Sequence, residues 1–227
     1  VPDHCLVGEP TSRAVLGDMV KIGRRGSVNA WVRVDGAQGH VAYPHMAENP
    51  ITHLVEILSR LQTATLDEGN DWFQPSNLEV TEILAPNPAH NIIPAYAEAR
   101  LNIRFNDSHS GRDLALWIEE TARGVTERAE VEAIISGESF LTPPGEFSTL
   151  IADSIEAETG VQPTLSTSGG TSDARFIRRL CPVVEFGLVG ASMHKVGEHV
   201  AVADIDRLSA IYRRILSGYF SPEASAR

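Results

Sequence analysis

Ser27-Val28-Asn29-Ala30-Trp31-Val32-Arg33-Val34-Asp35 decides the fold. Val28, Ala30, Val32 and Val34 fall on one face, and a period of two predicts a half-buried strand. Asn49-Pro50 follows as a helix cap with proline at the first helical position. Ile51, Leu54, Val55, Leu58 and Leu61 recur at helical spacing, which predicts a helix over roughly 50–63. Strands are expected over 77–84 and 95–105. In the second, Ala97, Ala99, Leu101, Ile103 and Phe105 alternate with Glu98, Arg100, Asn102 and Arg104. A helix near 111–123 and a strand near 129–136 complete the series β-α-β-β-α-β. That order is the ferredoxin-like α+β arrangement, with two helices on one face of an antiparallel sheet. Leu141-Thr142-Pro143-Pro144-Gly145 marks the exit from this unit.

Beyond it the pattern alternates as in an α/β layer. A helix near 146–158 ends at Gly160, and a strand at 163–167 runs into a Gly-Gly loop. A short helix (173–179), an apolar strand (182–186) and an amphipathic helix (203–219) follow. Cys5-Leu6-Val7 and Ala14-Val15-Leu16 read as two further strands that pair with this portion. The expected division is residues 1–23 as N-terminal strands of an α/β remnant, 24–138 as the inserted ferredoxin-like domain, and 139–227 as the rest of the α/β domain. Ser221-Pro222-Glu223-Ala224-Ser225 reads as a frayed polar tail.

With 227 residues, 42% hydrophobic and 22% charged, the composition is that of a globular protein able to bury a sizeable core. A net charge of −11 argues against a nucleic-acid surface, and no apolar run is long enough for a bilayer span. Cys5 and Cys181 are too few for a disulfide framework and read as reduced core thiols of a cytoplasmic protein.

Several polar residues stand where a core would not ask for them. Glu9 follows an apolar strand, where a carboxylate can reach a metal or substrate; the plainer reading is an exposed loop acid. His194 lies in a loop after the 182–186 strand and is either a metal ligand or an ordinary polar residue. Gly169-Gly170-Thr171-Ser172-Asp173 joins a strand to a helix, so backbone N–H groups can meet an anion, and Arg175 can clamp a carboxylate. The alternative is a glycine turn capped by Ser172 or Asp173. His40, beside Gly39, occupies a loop with its side chain free, and Asn91 offers both donor and acceptor where the third strand opens. Arg104 lies on the polar face of that strand, as an anion contact or a solvated charge.

Five segments together carry a resemblance: Gly8-Glu9-Pro10, Gly39-His40-Val41-Ala42-Tyr43-Pro44-His45 with Ala47-Glu48-Asn49-Pro50, His90-Asn91-Ile92-Ile93-Pro94, Gly169-Gly170-Thr171-Ser172-Asp173 and His194-Lys195. From about Cys5 to Tyr219 the chain resembles the M20 family of di-zinc aminoacyl hydrolases. The resemblance implies two zinc ions per complete subunit, with cobalt as the alternative metal. It makes Glu9 a ligand of one ion and His194 a ligand of the other. It also implies a homodimer through the ferredoxin-like lid, in which His40 reaches the neighbouring subunit's site and polarises the scissile carbonyl. Asn91 would position substrate across that dimer, while Arg104, Gly170, Thr171, Ser172 and Arg175 would hold substrate carboxylates.

The resemblance also implies a small anionic N-acyl amino-acid substrate. Its nearest match is hydrolysis of N-succinyl-LL-2,6-diaminopimelate to succinate and LL-2,6-diaminopimelate, a step of bacterial lysine and diaminopimelate synthesis. Two alternatives stand beside it: deacylation of another N-acyl amino acid, and a non-catalytic dimerisation and binding fragment. The resemblance also implies an earlier His-x-Asp motif, a bridging Asp and a Glu-Glu pair of the metal site, which none of the five matching segments supplies. A catalytic zinc takes about three protein ligands. Glu9 and His194 fall short, so most of the metal site is expected in a preceding segment, and the chain alone is expected to be metal-free and inactive.

Overall fold

A computed structural model describes residues 1–87 and 89–221. The polar tail expected to fray lies, from 222 onward, outside the described residues. In chain order the first strands are β1 (Cys5–Val7), β2 (Met19–Lys21), β3 (Gly23–Arg24), β4 (Gly26–Asp35) and β5 (Gly39–His40). Then come α1 (Pro50–Thr63), β6 (Asn77–Leu84), β7 (Ile92–Ile93), β8 (Tyr96–Phe105), α2 (Gly111–Arg123) and β9 (Ala129–Gly137). The last elements are β10 (Phe140–Leu141), α3 (Glu146–Thr159), β11 (Thr164–Ser166), α4 (Ala174–Ile177), β12 (Val183–Glu185) and α5 (Val202–Tyr219). The chain divides into two compact units, residues 25–139 and residues 1–24 with 140–227.

Residues 25–139 hold a four-stranded antiparallel sheet in the order β6-β8-β4-β9. β4 and β8 pair over their full length, from Gly26↔Phe105 to Asp35↔Tyr96. That register sets Val28, Ala30, Val32 and Val34 beside Ala97, Ala99, Leu101 and Ile103 on one buried face. Leu54, Ile57 and Leu61 of α1 and Leu114 and Ile118 of α2 cover it. Each such side chain contributes about 1.5–3 kcal/mol by leaving water, so this one face dominates the unit's stability. Asn49 caps α1 by accepting from Ile51 N–H at 3.1 Å, ahead of Pro50. Ser110 caps α2 by accepting from Asp113 N–H at 3.1 Å.

Two local expectations change here. His40 is not in a loop: Gly39 and His40 pair with Ile93 and Ile92 in a two-stranded antiparallel ribbon. The third strand likewise does not open at His90. Pro94, which has no N–H to give a ladder, separates β7 from β8.

The other unit is built on a mixed sheet in the order β1-β12-β2-β11, with β1∥β12 and β2∥β11 parallel and β12 antiparallel to β2. Ile151 and Ile155 of α3 and Ile211 and Ile215 of α5 pack with Val20, Ile22, Val184 and Phe186 from the strands. A two-stranded ribbon, β10 against β3, lies beside it.

The strand expected at Ala14-Val15-Leu16 is absent, and the strand falls at Met19–Lys21 instead. Asp18 is the cause. Its carboxylate accepts the N–H groups of Arg13 and Ala14 at 2.7 Å each and of Val15 at 3.2 Å, folding these residues into a turn. Burial works to raise the Asp18 pKa, but those backbone N–H bonds and the Arg13 charge outweigh it and hold the carboxyl below its ordinary value. Stability from this turn is therefore present at neutral pH and lost as pH falls through the lowered value. Asp18→Ala is expected to cost about 1–3 kcal/mol at pH 7, read as a lower urea midpoint.

Candidate functional site

In the unit of residues 1–24 and 140–221 the site residues stand at strand ends. Glu9 is half-buried just past β1. Its backbone is held by Gly187 after β12, where a Cβ would come within 2.4 Å of the Glu9 carbonyl oxygen, so only glycine permits the approach. His194 is exposed in the loop after β12 and has φ of 63°, the single non-glycine residue with positive φ among the described residues. Its N–H donates to Glu198 at 3.4 Å. Holding a side chain in that region costs on the order of 1 kcal/mol. The loop lines a cavity of about 230 Å³ with Gly8, Pro10, Met193, Glu198 and His199. Among the described residues no three His, Cys, Asp or Glu side chains come together as a metal-binding group.

The 168–175 segment is tied down from beneath by charges absent from the sequence reading. Glu185, at the end of β12, is 1% exposed. One of its oxygens accepts from Arg24 Nε at 2.8 Å and from Arg24 Nη2, and the other accepts from the Ser172 hydroxyl. Arg24 also donates to the Gly170 carbonyl at 3.0 Å. Lys21, directly opposite Glu185 in the β2–β12 pair, donates to Ser168 Oγ at 2.7 Å and Ser166 Oγ at 3.2 Å. Gly169 has φ of +103°, and a Cβ there would lie 2.9 Å from Arg24, so the Gly-Gly loop closes tightly over that guanidinium.

This arrangement alters the expected role of the loop. The Ser172 hydroxyl proton is committed to Glu185, leaving its backbone N–H as the group available to an anion. Asp173 makes no side-chain cap, and α4 has only four residues, too short for an appreciable helix dipole. Arg175 donates to Thr171 Oγ1 at 3.4 Å and lies 4.6 Å above the Phe176 ring. Its Nε is buried without a partner.

Lys21 is 6% exposed. Burial, reinforced by the Arg24 and Arg13 charges and opposed by Glu185, lowers its pKa to about 8. The unfolded chain holds a proton on this amine up to pH ~10.4, and the folded chain releases it near 8. Stability from this group therefore rises with pH across that window. An NMR titration of the two lysine Nζ groups, Lys21 and Lys195, should find a midpoint near 8 for Lys21.

In the unit of residues 25–139, His40 is exposed on β5. Its Nδ1 accepts from Ala42 N–H at 3.0 Å, which leaves Nε2 as the protonated nitrogen of the neutral ring. Nε2 stands 3.5 Å from the Asn91 amide nitrogen, so the β5–β7 ribbon brings these two expected site residues together. A ring whose free nitrogen carries the proton can donate to an oxygen that gains negative charge. Arg104 lies on the open face of β8, opposite Ser27 and Asn77.

A family profile described as a peptidase dimerisation domain matches residues 22–130. A curated succinyl-diaminopimelate desuccinylase of Novosphingobium aromaticivorans is 62% identical over 94% of this chain and 56% of its own length. The chain thus spans a little over half the length of that relative. Aminopeptidase PepT from Bacillus cereus superposes with a TM-score of 0.78 at 16% identity, over 92% of this chain and 55% of that one. A dinuclear metal-binding peptidase of the M20 family from Bacillus subtilis superposes with a TM-score of 0.64 at 15% identity, over 93% and 55%. These likenesses show the fold alone, an α/β layer and an antiparallel α+β unit like those of the two peptidases. Over nearly its whole length the chain is similar to curated succinyl-diaminopimelate desuccinylases, and its residues 22–130 are similar to a peptidase dimerisation domain.

Proposed function

We propose that the chain is part of a metal-dependent amidohydrolase that cleaves N-succinyl-LL-2,6-diaminopimelate to succinate and LL-2,6-diaminopimelate in the bacterial cytoplasm. The observation that carries this reading is the 62% identity over 94% of the chain to a curated enzyme of that name. The ferredoxin-like unit, residues 24–138, acts as lid and homodimer contact; the match to a dimerisation domain over residues 22–130 supports this.

The residues present do not make a metal site by themselves. Glu9 and His194 are two donors, no group of three forms among the described residues, and a catalytic zinc takes about three. In this reading they supply ligands to zinc ions completed by residues outside the chain. The chain's own residues bind and orient. His40 Nε2–H donates to the scissile carbonyl oxygen as negative charge develops, in the partner subunit's site, with Asn91 beside it. The backbone N–H groups of Gly170, Thr171 and Ser172, with the Thr171 hydroxyl and the Arg175 guanidinium, hold one substrate carboxylate, and Arg104 holds another.

The test is a zinc analysis and a succinate-release assay on the 227-residue chain beside the full-length protein. The full-length protein should carry metal and turn over, and the chain alone should do neither. Turnover by the chain alone would overturn the assignment of the missing ligands.

A further inference from the structure

A cavity of about 670 Å³ opens where β1 and β12 begin, and none of its lining residues has a part in the proposed function. His4 stands just ahead of β1, and Cys181 and Pro182 stand just ahead of β12. β10, the start of α3 and the segment from Arg178 to Leu180 form the remaining walls. The volume lies within the range of small-molecule sites, roughly 300–1,000 Å³.

The walls are largely aromatic, and the polar groups left open on them are mainly donors. Phe140 is 5% exposed, with the Arg178 guanidinium 5.8 Å from the centre of its ring. The Phe147 ring stacks on His4 at 4.6 Å, and His4 Nδ1 is engaged by the Tyr219 hydroxyl at 2.9 Å. Thr142 and Ser148 commit their hydroxyl protons internally, to the Val183 carbonyl at 2.7 Å and the Gly145 carbonyl at 3.0 Å. Arg178 and Arg179 are exposed, and the Arg179 side chain has no ion-pair partner among the described residues. Among those residues Glu146 is the one acid in the lining, and it sits in the first turn of α3, where the positive end of the helix already favours it. This chain has 30 acidic residues against 19 Lys and Arg, so two consecutive arginines lining one cavity reverse the prevailing charge. A guanidinium can only donate, and the group that completes such a wall is an anion.

We propose that this cavity is a binding site for a small aromatic carboxylate. The ring lies against Phe140 and Phe147, and the carboxylate accepts charge-assisted hydrogen bonds from Arg178 and Arg179. The aromatic walls reward the ring and the arginines reward the charge, so a ligand lacking either half loses most of its affinity. The inference uses no residue of the hydrolytic site and stands apart from the proposed function.

The probe is phenylacetate, titrated into the 227-residue chain and followed by backbone amide NMR. Phenylacetamide, which lacks the charge, and acetate, which lacks the ring, are the controls. Phenylacetate should saturate with a Kd on the order of 1 mM, and the amides that shift should be those of residues 146–148 and 178–181. Both controls should bind about tenfold more weakly or worse. Arg179→Gln should weaken phenylacetate binding about tenfold, and Arg179→Lys should recover only part of it. Arg179 is exposed, so the fold should tolerate either change. Equal binding of phenylacetamide, shifts centred outside the lining, or an Arg179→Gln chain that binds like the wild type overturns the site. The full-length protein should bind phenylacetate with a similar Kd. No binding there would show that the rest of the protein covers this cavity, and would overturn the site as well.

Discussion

Glu185→Ala is expected to destabilise the chain by about 3–5 kcal/mol, the cost of removing one partner from a buried ion pair. The carboxylate is 1% exposed and serves Arg24 through two nitrogens and Ser172 through its hydroxyl. Without it Arg24 and Lys21 remain as two largely buried cations with no carboxylate between them. Urea denaturation should show the loss. Introducing Lys21→Met into the Glu185→Ala background should restore part of it, because one unpaired charge then disappears. Equal stability of the single variant and the wild type would show that the cluster is solvated and not a buried tie for the 168–172 loop.

His40→Ala in the full-length protein is expected to lower kcat by about 10²–10³-fold, the size of effect seen when one oxyanion donor is removed. His40 is exposed, and among the described residues its ring bonds only the Ala42 N–H, with Asn91 beside it, so the fold should tolerate the change. Metal content should be unaffected. His40→Gln should retain more activity than His40→Ala, because its amide can still donate. Wild-type turnover in both would remove His40 from the reaction.

Where residue pattern and backbone physics coincide, the structure was legible in advance. Val28 to Val34 and Ala97 to Phe105 alternate because one face of each strand is buried, and Asn49-Pro50 is both a cap and a stop for other conformations. Where a side chain overrides the local pattern, legibility fails. Ala14-Val15-Leu16 has the composition of a strand, but Asp18 gathers its N–H groups into a turn. His40 and Asn91 were each visible as exposed polar residues, but their meeting depends on a two-residue ribbon too short to leave a periodic signal.

The Lys21-Arg24-Glu185 cluster was missed for another reason. Lys21 sits in Met19-Val20-Lys21-Ile22 and Glu185 in Val183-Val184-Glu185-Phe186, each a single charge inside an apolar run. A lone charge of each sign in two buried strands is itself a signal that they pair. Their separation along the chain hides the match until the sheet order is known. Ser172 follows from this: its type suits an anion site, but its proton belongs to Glu185.

The most direct measurement is release of the free amine by the full-length protein, loaded with zinc, across a panel of N-acyl amino acids and dipeptides. The account predicts that N-succinyl-LL-2,6-diaminopimelate has the highest kcat/KM, well above N-acetylornithine and simple dipeptides. Preference for another acyl group, or no release from the succinyl substrate, would contradict it.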